Sequence, residues 1–128
     1  MTIRFETTAP VLRIFSVEKA REFYLDFLGF TVAFEHRFEP DLPLYMGISR
    51  GGLTLHLSEH HGDATPGSAV FVWMTGIDEL HAELAAKRYG YNRPGIQEQP
   101  WGRGLTVTDP FANRIHFYER PREEAPAP

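Results

Sequence analysis

The chain has 128 residues, 42% of them hydrophobic and 23% charged, with a formal net charge of −4 and no cysteine. This is the length of one domain, with enough apolar side chain for a core. The acidic balance leaves no electrostatic footprint for nucleic acid and favours cationic ligands slightly. Without thiols there are no disulfides, thiolate nucleophiles or thiolate metal sites, which fits a reducing compartment. No apolar run approaches membrane length, and the N-terminus lacks the basic start and apolar stretch of a signal peptide. The expectation is a cytoplasmic protein with no nucleic-acid and no membrane partner.

Residues 10–15 are short, apolar and β-prone, and predict a strand. Ser16 stands where an N-cap belongs, Val17, Ala20, Tyr24, Phe27 and Leu28 recur at helical spacing, and Gly29 supplies the stop, so a helix follows. Residues 30–38 alternate in part before the turn Glu39-Pro40-Asp41. Residues 44–49 and 53–58 predict strands joined by a hairpin at Arg50-Gly51-Gly52. In the second of these, Leu53, Leu55 and Leu57 share one face, and Thr54, His56 and Ser58 the other. Glu59, His60, His61 and Asp63 form a polar cluster, and residues 62–67 a polar connector. The pattern then begins again with a strand over 69–74 and a helix on Ile77, Leu80, Leu84 and Ala85 that ends near Gly90. Weak extended segments at 91–97 and 105–108, the turn Asp109-Pro110-Phe111-Ala112-Asn113 and a last strand over 114–119 complete it.

The order strand, helix, three strands thus occurs twice. It predicts an α+β fold of two paired βαβββ modules: one domain over 1–120, module one about 8–62 and module two about 67–120, with a disordered Pro/Ala-rich tail over 121–128. Each module would bury one sheet face against its helix, and the other faces would curve round a shared cup of the kind ligands favour.

Within the second module, Glu98-Gln99-Pro100-Trp101-Gly102-Arg103 has the most to offer a ligand. Proline fixes φ and glycine permits unusual φ, so Trp101 rides on a shaped turn. Arg103 beside it can stack or pair with anions. Nothing there is a nucleophile or a proton shuttle, and flat aromatic contact with a few polar groups is the chemistry of binding. Two readings compete: Trp101 lines a site, or it fills a local core beneath the turn.

Pro10-Val11-Leu12 with Glu22-Phe23-Tyr24 and Leu28-Gly29-Phe30 resembles the opening of the glyoxalase/bleomycin resistance protein/dioxygenase superfamily, also called vicinal oxygen chelate. Val72-Trp73, Gly76-Ile77-Asp78-Glu79-Leu80 and Ala82-Glu83 resemble the second module of its bleomycin-resistance branch. So do Glu98 to Arg103 followed by Asp109-Pro110, Asn113 and His116-Phe117. The resemblance runs from about residue 9 to 119. It implies paired modules forming a curved, cup-shaped mixed sheet, usually a homodimer with ligand grooves near the subunit interface. It also implies sequestration, without chemical change, of a bulky aromatic and cationic antibiotic such as a bleomycin-type glycopeptide, or of another aromatic compound. In that branch the tryptophan of this loop lies in the drug groove, a role that falls on Trp101. An aromatic after the Leu-Gly-Phe strand also lines it, matched by Phe34 and more loosely by Phe38. The stretch 55–63 and Ala112, where the superfamily commonly has glycine, depart from the pattern and bear on which ligand is bound.

The superfamily's enzymes hold a divalent metal at positions that fall here near Ala9, Ala69 and His116. Alanine has no donor atom, and one imidazole cannot hold a metal that needs three or four ligands. The expectation is therefore no metal, no cofactor and no catalytic residue. The alternative is a metal-dependent glyoxalase- or dioxygenase-type enzyme with an atypical His56/His116/Glu59 site. The expected ligand-binding residues are Trp101, Phe34, Phe38, His56, His116, Glu98 and Arg103. The two imidazoles enter because each alternates with apolar neighbours, and Glu98 because a cationic ligand needs a counter-charge.

Overall fold

The computed structural model of the chain describes residues 2–121, so all of the expected tail except Pro121 lies outside the described residues. β1 is Val11–Arg13. Ser16, extended at φ −149° and ψ 122°, accepts the Lys19 N–H at 3.2 Å and starts α1, Val17–Arg21, as a short polar residue in that place predicts. The helix then widens. Glu22–Phe27 are π-helical, and the Leu28 N–H reaches back to the Phe23 carbonyl at 2.9 Å. Helical spacing could not disclose this, because Phe23, Tyr24 and Phe27 fall on one side in either winding. Gly29, at φ +74°, ends the helix.

β2 (Thr31–His36), β3 (Tyr45–Arg50) and β4 (Leu53–Ser58) complete a four-stranded sheet in the order β1-β4-β3-β2, with β1 parallel to β4 and the other pairs antiparallel. The second half repeats this with β5 (Ala69–Trp73), α2 (Ile77–Ala86), β6 (Gln97–Gln99), β7 (Gly102–Thr108) and β8 (Arg114–Glu119), in the order β5-β8-β7-β6. β5 is again parallel to β8. The α+β fold of two βαβββ modules is as the sequence order predicts.

The expected extended segment at 91–97 is not a strand over 91–96, and β6 begins only at Gln97. Pro94 lacks the N–H a ladder needs, and the Asn92 side chain takes the edge of β7 instead, donating to the Thr108 carbonyl at 2.5 Å and accepting its N–H at 3.2 Å. β7 in turn starts earlier than expected, at Gly102, because glycines at 102 and 104 hide a strand from propensity.

One parity of each sheet is core. Leu12, Met46, Ile48, Leu55 and Leu57 are buried in the first half together with Phe23, Tyr24 and Phe27, and Leu105, Val107, Ile115 and Phe117 in the second together with Ile77 and Leu84. Contacts divide the chain into two units. Unit 1 runs to Ser68 and includes Asp109–Asn113; unit 2 is Ala69–Thr108 and the chain from Arg114. The β7–β8 turn thus belongs to unit 1, and a buried polar knot shows why. Asp109 Oδ2 accepts the Tyr24 hydroxyl at 2.6 Å and Asn113 Nδ2 at 2.8 Å, while Oδ1 accepts the N–H groups of Phe111 and Asn113 at 2.8 Å each. Asn113 also donates to the Arg13 carbonyl at 2.8 Å and accepts Ser68 N–H at 3.0 Å. Burial, reinforced by the Asp109 charge and hydrogen bond, pushes the Tyr24 phenol pKa well up. Among the described residues no helix is long and apolar enough to cross a membrane.

Candidate ligand-binding site

In unit 2 the strand parity opposite the core carries Phe71 and Trp73 of β5, His116 and Tyr118 of β8, and Thr106 of β7. The Tyr118 ring lies across Gly104 of the neighbouring strand. Phe71 stacks parallel to Tyr118 with ring centroids 5.3 Å apart and planes at 4°, and Trp73 meets Phe71 edge-on at 4.9 Å. Trp101 adds a fourth ring, 6.0 Å from Tyr118 and tilted by 49°. Tyr118 is the buried floor, whereas Phe71, Trp73 and Trp101 keep 47%, 42% and 49% of their surface exposed. The core reading of Trp101 therefore fails. Its turn explains the placement. Gln99 pairs with Gly102, which leaves Pro100 and Trp101 at the hairpin tip. Gly102, at φ +153°, sits where any Cβ would overlap the Glu119 carbonyl, so the turn has no room for another residue type there.

Arg103 and Glu98 take the other parity. The guanidinium forks onto Asp78 in the first turn of α2 at 2.9 and 3.2 Å, with Nε 3.4 Å from Glu98. The hydrogen bond from Arg103 lowers the Asp78 carboxyl pKa, and the same bond raises that of Arg103. The two residues join the β6–β7 hairpin to α2 and do not stand beside Trp101.

In unit 1 the corresponding parity carries Phe34, Tyr45 and His56. The Phe34 ring lies flat over Gly47, where a Cβ would overlap it. It is stacked at 13° and 6.2 Å on Tyr45 and meets His56 edge-on at 5.3 Å. Tyr45 Oη is 2.7 Å from His56 Nδ1. Partial burial, and secondarily the Asp63 charge, raise the Tyr45 phenol pKa, so the phenol stays protonated and able to donate. Phe38 lies beyond the end of β2, 73% exposed, with His36 at 4.7 Å and His60 at 6.1 Å against its ring.

The two histidines singled out by the sequence occupy equivalent registers. His56 pairs with Val11 and His116 with Phe71, residues that each stand six positions before their helix start (17 − 11 and 77 − 71). Each Nδ1 is held by a hydroxyl at 2.7 Å, Tyr45 Oη for His56 and Thr106 Oγ1 for His116. In both rings it is thus Nδ1 that the hydroxyl engages, donating or accepting according to the imidazole tautomer.

The donor set does not fit a metal. Positions 9 and 69 are alanine, both imidazoles spend one nitrogen on a hydroxyl, and Glu59 accepts the Leu44 N–H at 3.0 Å with Arg37 3.9 Å away. Among the described residues no three His, Asp or Glu side chains gather as ligands would.

Tyr45, Phe71 and Tyr118 were missed by the reading of the sequence. Ala69-Val70-Phe71-Val72-Trp73 is apolar on both parities, so alternation does not reveal which ring faces out; only the pairing register does.

A repeated βαβββ module, with aromatic rings and a hydroxyl-anchored imidazole on the open parity of each sheet, defines the α+β class of this fold. The chain belongs to the glyoxalase superfamily: residues 1–124 match the family described as "Glyoxalase superfamily protein". No curated protein matches the sequence. Among solved structures, the chain is 29% identical to the bleomycin-binding protein from bleomycin-producing Streptomyces verticillus, solved with copper(II)-bleomycin, over 94% of this chain and 100% of that one, with a TM-score of 0.70. TnmS3, an antibiotic binding protein from Streptomyces sp. CB03234, is 18% identical over 94% and 100% of the two chains at a TM-score of 0.73. A second bleomycin-binding protein, complexed with bleomycin, is 18% identical over 91% and 100% at 0.67. The last two share the fold.

Proposed function

We propose that the protein is a non-catalytic binding protein that sequesters a bulky, aromatic and cationic antibiotic of the bleomycin type, and that it works as a homodimer. The observation that carries this is the four-ring ladder Trp73–Phe71–Tyr118–Trp101, three of whose rings stand half-open to solvent on the core-free face of their sheet. Leaving three large rings exposed on one face forfeits burial that a core would have gained; stacking on a flat ligand recovers it, at about 0.5–1.5 kcal/mol per ring beyond the buried area. His116 adds an imidazole to the same face as the ladder, and Phe34, Phe38 and His56 form a ring-and-imidazole group of the same kind in unit 1. Glu98 and Arg103 serve by fixing the turn that carries Trp101. The 29% identity to a protein that holds copper(II)-bleomycin supports this ligand class. The net charge of −4 favours a cation. Against the metal-dependent alternative, no three potential metal-ligating side chains gather among the described residues.

The test uses tryptophan fluorescence. Trp73→Phe leaves Trp101 as the only tryptophan, and adding bleomycin to that variant should change its emission saturably. Trp101→Ala should weaken binding about thirtyfold, the roughly 2 kcal/mol of a central interface aromatic, with little loss of thermal stability, since the ring is half exposed. Unchanged emission, or affinity indifferent to Trp101, contradicts the proposal.

A further inference from the structure

We propose a second binding site, on the helix side of unit 2, that takes a planar organic anion: a carboxylate carried on an aromatic ring. A cavity of about 540 Å³ lies between α2 and the loop that follows it, a size suited to a small ligand. His81 and Leu84 of α2 line it, together with Arg88, Tyr89, Arg93 and Pro94 of the chain that follows the helix. Leu84 and Pro94 are apolar, Tyr89 offers a flat ring, and the lining carries two guanidiniums and an imidazole with no carboxylate among them. Two guanidiniums in one lining, Arg88 and Arg93, match a carboxylate, which a guanidinium can hold bidentately. The apolar and aromatic part of the lining matches a ring.

Two features of the backbone build this arrangement. α2 ends at Ala86, and Arg88 takes the left-handed position after the cap at φ +51°, a place where helices ordinarily use glycine. The sequence has its glycine two residues later, at Gly90, and spends the left-handed position on a cation that lines the cavity. The loop is pinned by the two bonds of the Asn92 side chain to Thr108. The negative end of a helix dipole attracts cations by itself. That accounts for a cation just past the helix end, as at Arg88, but not for Arg93, which arrives from the loop.

The site is independent of the ring ladder, and so is its test. Benzoate and acetate are titrated into the full chain and followed by amide NMR. Benzoate should give saturable shifts at Gly90, Gly95 and the Asn92 side-chain amide, with a dissociation constant about tenfold below that of acetate, because the ring finds apolar cover. Arg88→Gly relieves the left-handed backbone, so its melting temperature should not fall, yet benzoate binding should weaken at least about tenfold. Arg93→Gln should weaken it similarly. Absence of saturable shifts at these residues, equal affinity for acetate, or full benzoate affinity in a folded Arg88→Gly variant overturns the proposal.

Discussion

Single atoms decide two features of this molecule. The first is the missing Cβ at Gly47. Phe34 occupies that space and is thereby laid flat beside His56 and Tyr45. Gly47→Ala should push the ring off the sheet at about 1–3 kcal/mol of stability, the usual cost of overpacking. Ligand affinity should fall about tenfold through the lost stacking. Chemical denaturation and ligand titration of the same variant check both numbers, and affinity that survives the displacement of Phe34 removes it from the site. The second feature is the Tyr24 hydroxyl. Its folded-state pKa is raised by burial and by Asp109, so its contribution is fully present below the unfolded value of about 10 and is lost as pH rises through the folded value. Wild-type stability should therefore fall in the alkaline range above about pH 10, and Tyr24→Phe should show less of that fall, with a remainder from Tyr45. At neutral pH the Phe variant should lose about 1.5–3 kcal/mol, the range for a hydrogen bond to a charged group. Urea midpoints at pH 8 and 11 test it, and an identical pH slope in both proteins contradicts it.

At the scale of elements, local signals were legible and long-range ones were not. Ser16 as a cap, Gly29 as a stop and Arg50-Gly51-Gly52 as a hairpin each act on their immediate neighbours. Their residue types therefore announce them. The ring ladder is different. β5 is apolar on both parities, so the outward turn of Phe71 and its stacking on Tyr118 depend on the register between β5 and β8, which no local pattern encodes. Arg103 shows the same limit. Adjacent to Trp101 in sequence, it reads as a partner for a ligand; its strand parity sends it to Asp78, 25 residues away. The π-helical widening at Glu22–Phe27 and the left-handed Arg88 are also silent in a reading based on helical spacing and glycine stops. By contrast, Trp101 at the tip of a two-residue turn was legible, because Pro100 and Gly102 constrain the backbone on both sides of it.

For the whole molecule, the exposed apolar surface argues for self-association. Ile3 and Phe5 are 84% and 94% exposed, beyond the rings of the ladder, and surface of this kind commonly marks an interface. Light scattering at micromolar concentration should give twice the 14.6 kDa of one chain; a monomer contradicts the homodimer. The account as a whole rests on ligand capture without chemistry, and calorimetric titration of the wild-type protein with copper(II)-bleomycin tests that most directly. It should show saturable binding of one ligand per chain with Kd on the order of 1 μM or tighter, a binding free energy of about −8 kcal/mol or better, and the antibiotic should be recovered unchanged. No heat of binding at a protein concentration of about 100 μM, which detects any Kd near or below that value, or recovery of a chemically altered ligand, contradicts it.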